Sequence, residues 1–148
     1  MKQVRKKDMN RKINFECLPQ ALWGKNIRSE LGIQEWDIIR KDVYKKYNHR
    51  CSICGKKAKM NAHEIWKLKI NSKLGTGTQI LIGIISVCDE CHDTIHIGSA
   101  LAMGRIHWAL EYFDMINGLS KVEAFEHLHY ADRKMMQLTP IKYWISEE

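Results

Sequence analysis

Two cysteine pairs, Cys51-x-x-Cys54 and Cys88-x-x-Cys91, bracket a stretch about the length of one supersecondary unit. A turn between the cysteines of a pair aims both thiolates at one point. Two pairs therefore supply the four corners of a closed structural Zn2+ site. Free or disulfide-bonded thiols are the alternative, but Gly55 and the lysines after the first pair suit a zinc ribbon or treble clef better. A second set of ligand types lies in the same unit. His63 is followed by Glu64, His92 follows Cys91 directly, and His96 comes four residues later. Residues four apart share one face of a helix. With a strand bringing His63 alongside, the three imidazoles form a second metal site, separate from the zinc. Imidazole suits zinc, nickel or manganese, and the Glu64 carboxylate widens the choice towards magnesium. The competing reading keeps His92 and His96 as structural hydrogen-bonding groups of the knuckle.

Those residues need a frame. Residues 60–66 take on strand character towards Trp66, and the isoleucine-rich residues 79–87 predict a buried strand running into the second pair. Residues 71–78, with Gly75 and Gly77, read as a long loop of the kind that serves function. Asp89 is placed to cap a helix carrying Cys91, His92 and His96. Upstream, Pro19 opens a helical turn among apolar residues. Trp36, Ile39, Val43 and Tyr47 predict an amphipathic helix over 34–47, with Arg40, Lys41, Lys45 and Lys46 outside its apolar stripe. Downstream, Met103, Ile106, Leu110 and Phe113 mark a helix over 99–116 that Asn117-Gly118 stops. Ser120 and Glu123 form a capping box. It starts a helix to Leu138 that turns Val122, Phe125, Leu128, Ala131, Met135 and Leu138 inward, and Pro140 ends it. Residues 141–145 are a short apolar tail that docks. Four segments result: a basic flexible tail (1–14), a helical segment packing on the core (15–50), the metal-binding core (51–98) and a helical extension (99–148).

The 148 residues carry a net charge of +7, which points to a polyanionic partner, nucleic acid before an anionic membrane. Five cysteines, an odd number that leaves Cys17 over, fit metal binding in a reducing compartment better than secretion. The charged first residues lack the apolar region of a signal peptide, and the run from Ile80 to Val87 is too short to span a bilayer. The expectation is a cytoplasmic protein with no membrane partner.

The order Cys-x-x-Cys, Ala62-His63-Glu64-Ile65-Trp66, then a strand entering Cys88-x-x-Cys91-His92 with His96 beyond, resembles the HNH endonuclease family. Within it, the chain resembles the small four-cysteine subgroup with an Ala-His-Glu-x-Trp core. The resemblance covers residues 51–98. It implies an α+β fold: a zinc-stapled ββα-metal core, treble-clef-like, with flanking α-helices. It implies metal-dependent hydrolysis of DNA phosphodiester bonds, with His63, Glu64 and His92 catalytic. His63, His92 and His96 would surround a second divalent cation, Mg2+, Mn2+ or Ni2+. Two registers remain open. His63 is the base, with Ala62 in the ligand position, or His63 is a ligand and Glu64 the base. The family's orienting asparagine falls on Gly83. Lys56, Lys57, Lys59, Lys67 and Lys69 are the candidate contacts to DNA, double-stranded in this reading, and a homodimer or a partner protein is compatible with it. The alternative is a non-catalytic, zinc-stabilised nucleic-acid-binding module on a degenerate HNH scaffold.

Overall fold

β-branched residues dominate the stretch from Thr76 to Cys88, and that stretch is the central strand of the molecule. The structure, a computed structural model, describes residues 13–147. Most of the basic tail, residues 1–12, lies outside the described residues. Within them the chain is α+β, with one three-stranded sheet and six α-helices. Strand β1 (Met60–Asn71) and strand β2 (Thr76–Cys88) pair antiparallel, from Met60 opposite Cys88 to Asn71 opposite Thr76. Ile65 faces Gly83 but Trp66 faces Leu81, so Ile82 is a bulge and is exposed. Strand β3 (Tyr143–Glu147) runs parallel to the start of β2, on its far edge.

Helix α1 (Ile27–Leu31) and helix α2 (Ile33–Lys46) precede the hairpin, and a 3-10 turn at Gln20–Leu22 follows Pro19 as expected. Helix α3 (Asp89–Ile95) continues directly from β2. Helix α4 (Ile97–Ala102), helix α5 (Ile106–Asn117) and helix α6 (Lys121–Leu138) complete the fold. The main core gathers Met60, Val87, Cys88, Cys91 and Ile95 from the hairpin and α3 against Leu110 and Phe113 of α5 and Ala124 of α6. A smaller cluster joins Leu22, Leu138, Ile141 and Trp144.

Several expectations are corrected. The long loop at 71–78 is a tight hairpin turn, and both strands extend into it. Gly75, at φ +64°, supplies the left-handed residue that closes it. The helix over 99–116 is two helices, broken at Gly104 with φ +73°. The break leaves Met103 exposed. Val122 and Phe125 also face outward; α6 buries Ala131 and Leu138 as expected, with Ala124 in place of those two. Asp89 sits inside the first turn of α3 rather than capping it, and its carboxylate accepts from Asn61 Nδ2 at 2.7 Å. At the start of α6, Ser120 Oγ accepts from Glu123 N, as a capping box requires, and also donates to Glu123 Oε1, both at 3.3 Å.

The segment before the first helix is tied down tightly. Ile13 is 1% exposed. Its N–H donates to Asn117 Oδ1 and its carbonyl accepts from Asn117 Nδ2, both at 3.1 Å. Phe15 stacks on Phe113 with centroids 4.0 Å apart, and Glu16 N donates to Ile95 O at 2.7 Å. The segment is thereby strapped across α5 and the end of α3.

Candidate metal centres

The four cysteines converge as their spacing requires. Cys51 and Cys54 sit on a turn closed by Gly55 N donating to Cys51 O at 2.9 Å, with Gly55 at φ +78°. Cys88 ends β2 and Cys91 lies in the first turn of α3. The four sulfurs lie within 4.8 Å of one another, and Cys54 Sγ is 3.7 Å from Cys88 Sγ. Zinc–sulfur bonds of about 2.3 Å in a tetrahedron put the sulfurs about 3.8 Å apart, so the set fits zinc. Burial pushes the Cys91 thiol well up and Cys88 to about 11. At Cys51 burial also pushes up, but surrounding backbone N–H groups win and bring the thiol down to about 7. Metal binding needs the thiolate forms, so a cation bound here would bring all four thiols down together. Tyr112 Oη closes the shell, 3.3 Å from Cys91 Sγ.

The histidines form a second cluster. His63 points from β1 into the core side of the hairpin and is 7% exposed. His92 lies on α3, and His96 caps its end with its N–H still donating to His92 O at 3.1 Å. The helical spacing therefore survives to His96, and the two Nε2 atoms stand 3.1 Å apart. One ligand nitrogen from each of the three imidazoles falls within a common 4.8 Å. Burial, with His96 and His63 as neighbours, pushes His92 down to about 4. Burial lowers His96 as well, against the pull of Glu16. Both shifts favour the neutral rings, whose lone pairs metal binding needs.

No family model matches this sequence, and no curated protein or solved structure aligns with it.

Glu64 does not join the cluster. Successive strand residues point to opposite faces, so with His63 turned inward Glu64 faces α1. Its Oε1 accepts from Ile27 N at 2.9 Å and its Oε2 from Trp66 Nε1 at 3.0 Å. Glu64 thus satisfies a free donor at the start of α1, and Trp66 is half-buried beside it. The carboxylate that does reach the histidines is Glu16. Its Oε2 is 3.3 Å from His63 Nε2 and its Oε1 is 3.9 Å from His96 Nδ1. Burial raises the Glu16 pKa, but the hydrogen bond from His63 and the three nearby imidazoles outweigh it and hold the carboxyl below its usual range. Glu16 carries no spacing signal, being a lone acid between Phe15 and Cys17 in a segment that reads as packing.

Two cavities flank this strap. One, of about 830 Å³, opens on Glu16, His92 and His96 and is otherwise walled mainly by apolar residues such as Trp23, Leu101 and Phe125, with Asp93 and Asp132. The other, of about 610 Å³, lies between Glu16, Trp66, Lys67, Tyr130 and Lys134. Of the candidate lysines, Lys67 therefore lies on a cavity shared with Glu16. Lys69 is exposed further along β1. Lys56 is paired with Glu90 at 3.2 Å and Lys57 bridges to Arg50, both beside the cysteine knuckle. Lys59 is exposed just before β1. No helix among the described residues is long and apolar enough to cross a membrane.

Proposed function

We propose that this chain is an HNH-type, metal-dependent endonuclease that hydrolyses DNA phosphodiester bonds, with a structural zinc on Cys51, Cys54, Cys88 and Cys91. One observation carries the reading: His63 from a hairpin strand meets His92 and His96 from the helix that follows, directly behind the four-cysteine cluster. A divalent ion held there supplies charge stabilisation for a phosphate and acidity for an attacking water. His92 and His96 hold it with neutral imidazoles set by helical spacing. His63 is the member of its dipeptide that serves the site, because Glu64 is engaged on the opposite face. A donor set of imidazoles favours Mn2+, Ni2+ or Zn2+ over Mg2+, which prefers oxygen ligands. Lys67 and Lys134, with Trp66 and Tyr130, line the neighbouring cavity, a mixture suited to a phosphate backbone and its bases.

The second reading, a nucleic-acid-binding module without hydrolysis, is favoured by two departures. Gly83 offers no side chain where an orienting asparagine would act, and Glu64 is turned away from the histidines. Incubation of supercoiled plasmid with Mg2+, Mn2+ or Ni2+ separates the two. The nuclease reading expects nicking by the wild type that His63→Ala and His92→Ala abolish while zinc content and DNA affinity persist. Cutting by both variants at the wild-type rate refutes the site. Binding without cutting under every metal leaves the module.

A further inference from the structure

We propose that Glu16 is a fourth protein ligand of the divalent-cation site, making it a three-imidazole, one-carboxylate centre selective for a transition-metal ion. This rests on the reading that the histidine cluster holds an ion, and is independent of whether that ion cuts DNA. The first argument is metric. Ligands about 2.0–2.1 Å from a cation and adjacent in its coordination sphere lie about 3.0–3.4 Å apart. Two such edges are present, His92 Nε2 to His96 Nε2 at 3.1 Å and His63 Nε2 to Glu16 Oε2 at 3.3 Å. Glu16 stands just outside the common 4.8 Å of the three imidazole nitrogens, meeting His96 at Nδ1 at 3.9 Å, so its carboxylate swings inward when the ion binds.

The second argument is charge. The Glu16 side chain is 27% exposed, and among the described residues its ion-pair partners are His63 and His96 alone. A largely buried carboxylate beside these imidazoles, with neither lysine nor arginine paired to it among the described residues, brings a negative charge to the cluster that a bound cation would offset.

The third argument is the strap itself. The two Asn117 bonds to Ile13, the Phe15–Phe113 stack and the Glu16 N to Ile95 O bond hold the backbone leading into Glu16 and at Glu16 itself. These contacts fix Glu16 against the end of α3, where His92 and His96 project. A segment of the chain remote in sequence from the hairpin and α3 thereby closes the site.

The test uses zinc-loaded full-length protein titrated with Co2+, followed by calorimetry and by the visible spectrum of the bound ion. Wild type is expected to take one Co2+ beyond its zinc, and His92→Ala to lose it. Glu16→Gln, nearly isosteric, is expected to bind Co2+ at least tenfold more weakly with a changed visible spectrum, while Glu64→Gln binds like wild type. Far-ultraviolet circular dichroism checks that each variant is folded. Unchanged affinity in Glu16→Gln overturns the proposal. Weaker binding with an unchanged spectrum also overturns it, because Glu16 would then only orient a histidine. A wild type that takes no second ion overturns the histidine site as well, which separates that failure from the failure of Glu16 alone.

Discussion

Gly77→Ala tests how the C-terminal strand is held. Gly77 pairs with Trp144 across the parallel β2–β3 ladder. A methyl group at Gly77 would lie 2.5 Å from Trp144 Cε3 and Cζ3 and 2.7 Å from Cη2. Carbon atoms rest about 3.5–4.0 Å apart, so the indole must retreat by roughly 1 Å. It has little freedom to do so. Trp144 is 4% exposed among Leu22, Leu138 and Ile141, and its Nε1 donates to Ile141 O at 3.1 Å. Its carbonyl accepts from Lys25 Nζ at 3.2 Å. Overpacking of this kind costs about 1–3 kcal/mol. Peeling β3 away instead exposes an aromatic side chain of about 150–250 Å², which costs more, so local strain is the cheaper response. For a chain of this size the loss lowers Tm by about 2–4 °C per kcal/mol. Gly83→Ala is the matched control on the same strand, since an added methyl there meets nothing within 4 Å. It is expected to be neutral or to stabilise by about 0.4–1 kcal/mol. Thermal melts of both variants, with the Gly77→Ala/Trp144→Leu double variant, measure the clash directly. A Gly77→Ala protein that melts at or above the wild-type temperature refutes the reasoning. So does a double variant showing no coupling.

Cys88→Ser is expected to remove zinc from the purified protein and abolish cooperative melting. A structural zinc contributes about 10–16 kcal/mol, against a net stability of only about 5–15 kcal/mol. Elemental analysis and calorimetry check this, and an unaltered melt with no zinc in the wild type refutes it. DNA affinity is expected to fall on the order of 100-fold between 50 and 200 mM salt if about four phosphates are contacted. Lys67→Ala and Lys69→Ala should each reduce the salt slope by about one, read by fluorescence anisotropy, and a salt-independent affinity counts against both nucleic-acid readings.

The two cysteine pairs were legible because a Cys-x-x-Cys turn is local geometry, complete within four residues. His92 and His96 were legible for a similar reason, since the helical repeat alone puts them on one face, and Asn117-Gly118 marked a stop that the left-handed Gly118 makes. The break at Gly104 was not, because the apolar period of Met103, Ile106, Leu110 and Phe113 runs straight through it. The inward face of α6 was not either. A helix with apolar residues on several sides does not say which side its neighbours cover, and only the packing of α5 turned Ala124 inward in place of Val122 and Phe125.

The histidine site divides along the same line. Sequence by itself determined the ligand types of the hairpin and α3, because each depends on near neighbours. The choice between His63 and Glu64 belonged to the tertiary structure. A strand alternates its side chains whichever face is buried, and only the fold shows that His63 is the one turned inward, at 7% exposed. The same is true of Glu16. Nothing near it in sequence names a partner, and it reaches the histidines only because Ile13 and Phe15 are held on α5, about a hundred residues away along the chain. Contacts of that separation depend on the path of the whole fold, which no local pattern of residues encodes.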